Sequence, residues 1–307
     1  MNFLKVLGAT ILSFILFLSL GLFSTLFLLN STLLNPDFMV NQVDKLPVAT
    51  LIMEATEEQF NQQLPEEAWF LKETMYNVVS DHEPWIKEQL RAGIYSFYDF
   101  LLGKSERLSL VVSMDPLKET LRDSLWQVFQ QNLPSLPPEL ATAPPEMQEQ
   151  YFDEFYQQFS GQIPSELRLD ESSIPPEVMA QIIQARQYIS YTRMAYYGLI
   201  ALMVLLVLAI ILLHRSVKGA TRELGITFLI YGVIEYAGVW ATRNYASSLP
   251  LPDMPASLQT WLAGFISDFV APLQILGIGL MAGGAALIIV SIVYPRWRKE
   301  EVEVEEQ

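Results

Sequence analysis

The stretch LIYGVIEYAGVW, residues 229–240, is an apolar run with a single acid, Glu235, at its centre. The same character extends over 224–242, and a helix of that length crosses the ~30 Å hydrocarbon layer of a bilayer at about 1.5 Å per residue. Three further stretches match it: 6–29, 195–213 and 270–294. In lipid every backbone polar group must be satisfied within the segment, which leaves the helix as the spanning form for such runs. The expected fold is therefore mainly α, a four-span transmembrane helical bundle.

Lys and Arg collect on the cytoplasmic side of membrane spans. Lys5 precedes the first span, Arg215, Lys218 and Arg222 lie between the second and third, and Arg296, Arg298 and Lys299 follow the fourth. Four crossings satisfy all three clusters when both termini are cytoplasmic. The predicted organisation is an uncleaved anchor helix over 1–30, an acidic extracytoplasmic domain over 31–190 and a second span over 191–214. A cytoplasmic loop (215–223), a third span (224–242), an outer loop with a short helix (243–269), a fourth span (270–294) and an acidic cytoplasmic tail (295–307) follow. The tail EEVEVEEQ is expected to be a solvated, disordered end.

Charge is concentrated in one place. Residues 31–190 hold 25 Asp and Glu against 10 Lys and Arg, which accounts for the whole formal net charge of −15. Such a segment opposes the counterion release that drives phosphate binding, so nucleic acid and anionic headgroups are excluded as partners. The chain has no cysteine, which removes disulfides, thiolate metal ligands and thiol nucleophiles.

Inside that segment helical signals dominate. EPWIKEQLRAGIYSFYDFLLG (83–103) spaces Ile86, Leu90, Ile94, Phe97 and Leu101 on one helical face and stops at Gly103. Leu117, Leu121, Leu125 and Val128 do the same in the next helix, after Asp115-Pro116. RLSLVVS (107–113) and SELRLDE (165–171) alternate as strands do and are expected to pair as a small two-stranded element. LPSLPPELATAPP (133–145) is a stiff connector by composition. From about Pro176 no Pro or Gly interrupts the chain until Gly198, so one helix is predicted to run from the outer domain into the second span.

Glu235 is the leading candidate for a functional residue, because a carboxylate at bilayer depth is costly and needs a partner or a role. Its helical face carries Phe228, Tyr231, Gly232, Gly238, Val239 and Thr242. Gly232 and Gly238 are expected to admit a close neighbour, with Gly279 and Gly283, in GxxxG spacing, as the matching surface of the fourth span. A carboxyl hydrogen-bonded across that contact is the structural alternative to a proton or cation site. Asp268, Arg243, Gln274 and Arg193 are expected at similar height and could close a polar network at the outer rim. Asp81-His82-Glu83 resembles metal ligands, but adjacent residues diverge and the only other histidine, His214, is assigned to the opposite side. Neither a metal nor another cofactor is expected.

No Gly-rich phosphate loop, nucleophile elbow, HExxH or Ser-His-Asp arrangement occurs, which argues against an enzyme. Four spans with a large first outer loop are similar in threading to the claudins, whose loop cysteine pair and tryptophan motif this chain lacks. The expected function is an integral membrane protein, in contact with the lipid bilayer, whose outer domain binds a protein partner or forms a homo-oligomer. The alternatives are a small oligomeric channel or proton-coupled transporter using Glu235, and a sensor passing the state of its outer domain to a separate signalling protein.

Overall fold

The computed structural model describes residues 3–51, 54, 76–132, 142–161, 164–170, 174–246 and 254–305. Most of the proline-rich connector (133–141) lies outside them. The described chain is mainly helical, with a small two-stranded sheet and four helical stretches long and apolar enough to cross a membrane. Two compact units form: one from 1–39, 187–252 and 260–307, the other from 40–186 and 253–259.

The second unit begins within α2 (Pro36–Asp44) and contains α3 (Glu83–Leu101), β1 (Ser109–Ser113), α4 (Asp115–Asn132), α5 (Pro145–Ser160) and β2 (Glu166–Asp170). Pro84 stands in the first turn of α3, where its missing N–H costs nothing. The helix ends as its composition predicts: Gly103 takes φ +77°, Gly103 N–H donates to Phe100 O at 3.1 Å, and Lys104 N–H donates to Asp99 O at 2.8 Å. This is the Schellman closure that a glycine favours. The Arg186 guanidinium stacks 5.5 Å from the Phe100 ring centre.

His82, at the start of α3, is tied to Val78 O (2.9 Å) and Thr120 Oγ1 (3.1 Å), so it joins α3 to α4. No group of three or more metal-ligating residues forms among the described residues. Beside it, Glu83 receives Lys87 Nζ at 2.7 Å and the Ala49 N–H at 3.4 Å. The Lys87 hydrogen bond, with help from the Ala49 and Val48 backbone N–H groups, holds the Glu83 carboxyl below the usual carboxylate range.

The core of this unit is aromatic. Val78, Leu121, Leu125, Phe152 and Tyr156 are buried together, with Leu117, Trp126 and Phe129 packed around them. The apolar stripe of α4 thus meets two residues of α5 four apart, one turn of helix. Tyr156 donates its hydroxyl to Lys118 O at 2.6 Å, and Arg122 pairs with Asp153 at 2.8 Å, which fixes the register of α4 against α5.

β1 and β2 pair antiparallel with Ser109 opposite Asp170 and Ser113 opposite Glu166. The expected strand pair forms within the expected segments.

The first unit holds α1 (Phe3–Ser31), α7 (Val217–Ala246), α9 (Ala271–Glu305), most of α8 (Ala256–Phe269) and the C-terminal part of α6 (Pro176–His214). The helix α6 is unbroken over 39 residues. Two residues connect it to α7, with Arg215 in the left-handed region at φ 49°. Leu16, Leu206, Ile210 and Leu224 form a buried cluster among α1, α6 and α7, flanked by Leu12, Met203, Val207, Phe228 and Leu287. Phe17 meets Tyr231 edge-on at 5.3 Å and Phe23 stacks on Tyr196 at 5.4 Å.

One expectation fails at the C-terminus: α9 continues through the acidic stretch to Glu305 instead of becoming disordered. Glu, Lys and Arg are good helix formers, so a helix already nucleated by the apolar span propagates into them.

Phe152 is 1% exposed, with Trp126 at 5.0 Å, Phe129 at 5.6 Å and Tyr156 at 6.2 Å between ring centres. Phe152→Ala is expected to destabilise this unit by about 3–5 kcal/mol through lost burial and a residual cavity. Thermal or denaturant melting followed by tryptophan fluorescence measures it.

Candidate functional site

The closest approach in the bundle is between α7 and α9. A Cβ built on Gly225 would lie 2.8 Å from Gly284 O, and one on Gly284 would lie 2.7 Å from Gly225 O. Two turns further on, a Cβ on Gly232 would lie 2.7 Å from Gly277 O, and one on Gly277 would lie 3.2 Å from Gly232 O. The two antiparallel backbones therefore touch twice, through reciprocal glycine pairs. Val239 and Ala246 extend the row on α7, and Ser291 on α9 and Val270 in the turn just before it extend the other, all buried and all at seven-residue spacing. A strict seven-residue repeat keeps two helices in contact along their length, with a slight left-handed winding.

This corrects the glycine assignment from sequence. Of the four packing glycines expected, Gly232 lies in the seam, whereas Gly238, Gly279 and Gly283 have open space where a Cβ would stand. The reason is angular. Each residue turns about 100° on a helix, so Gly279 sits roughly 200° round from Gly277, and Gly283 and Gly238 are each one residue off the row. GxxxG spacing drew attention to the wrong pair; the seven-residue spacings Gly225/Gly232 and Gly277/Gly284 were the signal.

Glu235 lies beside this seam. Its Cβ is 3.4 Å from the position a Gly277 Cβ would take, and the residue is half-buried. Its carboxylate interacts with the Tyr231 hydroxyl one turn earlier. Tyr231 in turn donates to Ser24 Oγ of α1 at 2.8 Å, a buried contact. At the other end of the same interface Ser13 Oγ donates to Glu223 Oε1 at 2.9 Å. On α7 the residues Glu223, Thr227, Tyr231 and Glu235 follow at every fourth position and so form one polar row along the helix. On α1 the matching stripe is Ala9, Ser13, Leu16, Leu20 and Ser24, all buried. Ser13, Ser24 and Glu223 were not singled out from sequence, although their helical spacing was legible.

The other expected site residues form a separate group. Arg243 Nη1 donates to Gln274 Oε1 at 2.5 Å and Nη2 donates to Ser267 O at 3.2 Å. Ser267 belongs to the last turn of α8, whose carbonyls have no partner within the helix, so the guanidinium caps α8 and ties α7 to α9. Asp268 follows it, half-buried, in α8. Arg193 is exposed on α6, and among the described residues no hydrogen bond or ion pair joins it to this group. Arg243 lies eight residues beyond Glu235, about 12 Å along α7. The structure thus brings Arg243 to Gln274 and brings Glu235 to Tyr231, not one group to the other.

Comparison with known protein families, curated proteins and solved structures yields no match.

Gly232→Ala should cost about 1–3 kcal/mol, because its methyl group forces two backbones apart. Gly279→Ala and Gly283→Ala should leave stability within about 0.5 kcal/mol of the parent, since nothing opposes the added methyl. Thermal unfolding of the three variants in detergent, monitored by size-exclusion chromatography, distinguishes the seam from the GxxxG alternative.

Proposed function

We propose that the chain is a multi-pass membrane protein whose segment 31–190 lies outside the cytoplasm, with both termini inside. In this reading the outer segment mediates protein interaction or self-assembly, and the four spans anchor it without enzymatic activity. One observation carries the reading: Glu223, Tyr231 and Arg243 of α7 are engaged by neighbouring helices, and Glu235 stands against the close glycine contact with α9. Polar groups that bind helices together hold a bundle in one arrangement, whereas a permeation path needs them to line water. The positive clusters at Lys5, 215–222 and 296–299 support the orientation, and the charge of −15 between 31 and 190 supports a solvated outer face. Crosslinking of the intact chain in its native membranes is expected to capture a second copy or a defined protein partner. Recovery of isolated monomers alone overturns the reading.

A second reading, a proton-coupled transporter, is favoured by the polar row itself. Glu223, Thr227, Tyr231 and Glu235 recur about 6 Å apart along α7, with Ser13 and Ser24 beside them. Carboxylates and hydroxyls in such a row are the parts of a proton relay. Liposomes carrying the wild-type chain would then show proton flux that Glu235→Gln abolishes. Under the scaffold reading neither protein conducts, at any pH.

A further inference from the structure

The two-stranded sheet leaves one edge open. Met114 N–H donates to Ser165 O at 2.8 Å, which makes 114/165 a hydrogen-bonded pair of the ladder. Pairs alternate in an antiparallel ladder, so Leu167 faces Val112 across hydrogen bonds, while the N–H and C=O groups of Glu166 and Arg168 point away from β1. The opposite edge, that of β1, is attended by α3: Ser96 Oγ donates to Ser109 O at 3.1 Å. Among the described residues nothing pairs with the backbone of Glu166 or Arg168 on the outer edge of β2. An exposed strand edge of this kind is a template for another strand.

We infer that β2 pairs antiparallel with β2 of a second copy of this chain, centred on Leu167, to give a four-stranded sheet in the order β1-β2-β2-β1. The occupant follows from the strand's own sequence, SELRLDE. In that register Glu166 stands opposite Arg168 of the second copy, and Arg168 stands opposite its Glu166. Both are hydrogen-bonded pairs of the new ladder, so the outward N–H and C=O groups of Glu166 and Arg168 in both copies have the partners their geometry requires. The side chains of Glu166 and Arg168 are 46% and 65% exposed and already ion-paired to each other at 2.7 Å. Two copies bring them into a square of alternating charge, the arrangement that favours cross-strand pairing. Leu167, 50% exposed in one copy, meets its own counterpart at the two-fold axis. A shift of the register to centre on Arg168 sets Glu166 against Asp170, carboxylate against carboxylate, so the charges select one alignment. The pairing also relieves a weakness: an isolated two-stranded sheet is marginal, and four strands with packing on α3 are not.

This inference rests on the self-assembly reading above and specifies its contact. Because the chain has no cysteine, Leu167→Cys introduces a single thiol. Opposed residues in a non-hydrogen-bonded pair have Cα atoms about 4.5 Å apart, within disulfide reach. Oxidation of L167C in native membranes is expected to give a covalent dimer as the main species. Val111→Cys, on the exposed face of β1, would lie about 16 Å from its counterpart, three strand spacings across and two residues along, and should not crosslink. Adding Arg168→Glu to L167C turns both charge pairs repulsive and should lower the crosslinked fraction roughly tenfold. The exchange Glu166→Arg with Arg168→Glu restores opposite charges and should restore the dimer. L167C dimerising no more than V111C, or an exchange that fails to rescue, overturns the pairing. Native mass spectrometry of the unmodified chain separates the two levels. An oligomer without the 167 crosslink rejects the β2 contact alone, and a monomer without partner rejects the self-assembly reading with it.

Discussion

Along α7 and α9 the two main chains approach so closely that no side chain fits between them at Gly225, Gly232, Gly277 and Gly284. In lipid there is no hydrophobic gain in bringing one apolar helix to another, so association depends on van der Waals contact and on whatever polar groups can meet. Glycine maximises the first. The seven-residue recurrence of the row keeps the contact continuous, and the remaining helices are placed with reference to that rigid pair. Where α7 turns its next face, Ser13 and Ser24 of α1 supply polar contacts to Glu223 and Tyr231.

The position of Glu235 follows from the same constraint. The small residues that admit α9 bring Gly277 against its Cβ, and the i−4 position on α7 is Tyr231, whose hydroxyl donates to Ser24. An acid that looks isolated in a linear apolar run is thus one member of a polar row shared by two helices. Arg243 works differently. It stands where α8 ends and α9 begins, and its guanidinium answers a carbonyl that the end of α8 leaves without a partner.

The second unit is held by aromatic packing between α4 and α5 and by single polar ties at its margins, such as His82 to Thr120 and Tyr156 to Lys118. Its sheet is the least supported element, two strands with α3 beside one edge. The ion pair between Glu166 and Arg168 lies on the exposed side, two residues apart on one strand, where it contributes little to a single copy.

Local chemistry was enough to foresee the four apolar helices, the stop of α3 at Gly103 and the pairing of the segments around 110 and 167. Each depends on periodicity or on the conformational freedom of one residue, and those are properties of a few consecutive positions. Of the glycine seam only Gly232 was singled out, and the serine contacts were not foreseen, although their spacing was present in the chain, because a helix shows several faces and only its neighbour selects one. GxxxG and the seven-residue row are both visible in the fourth span; the approach of α7 decided between them. The acidic stretch at the C-terminus shows the same limit from the other side, since its composition permits either disorder or a helix and continuity with α9 settles which. Sequence alone determined which segments are apolar, where they cap and how they alternate. Tertiary structure alone decided which faces meet, because contact energy depends on the distance between elements, and no single segment contains that distance.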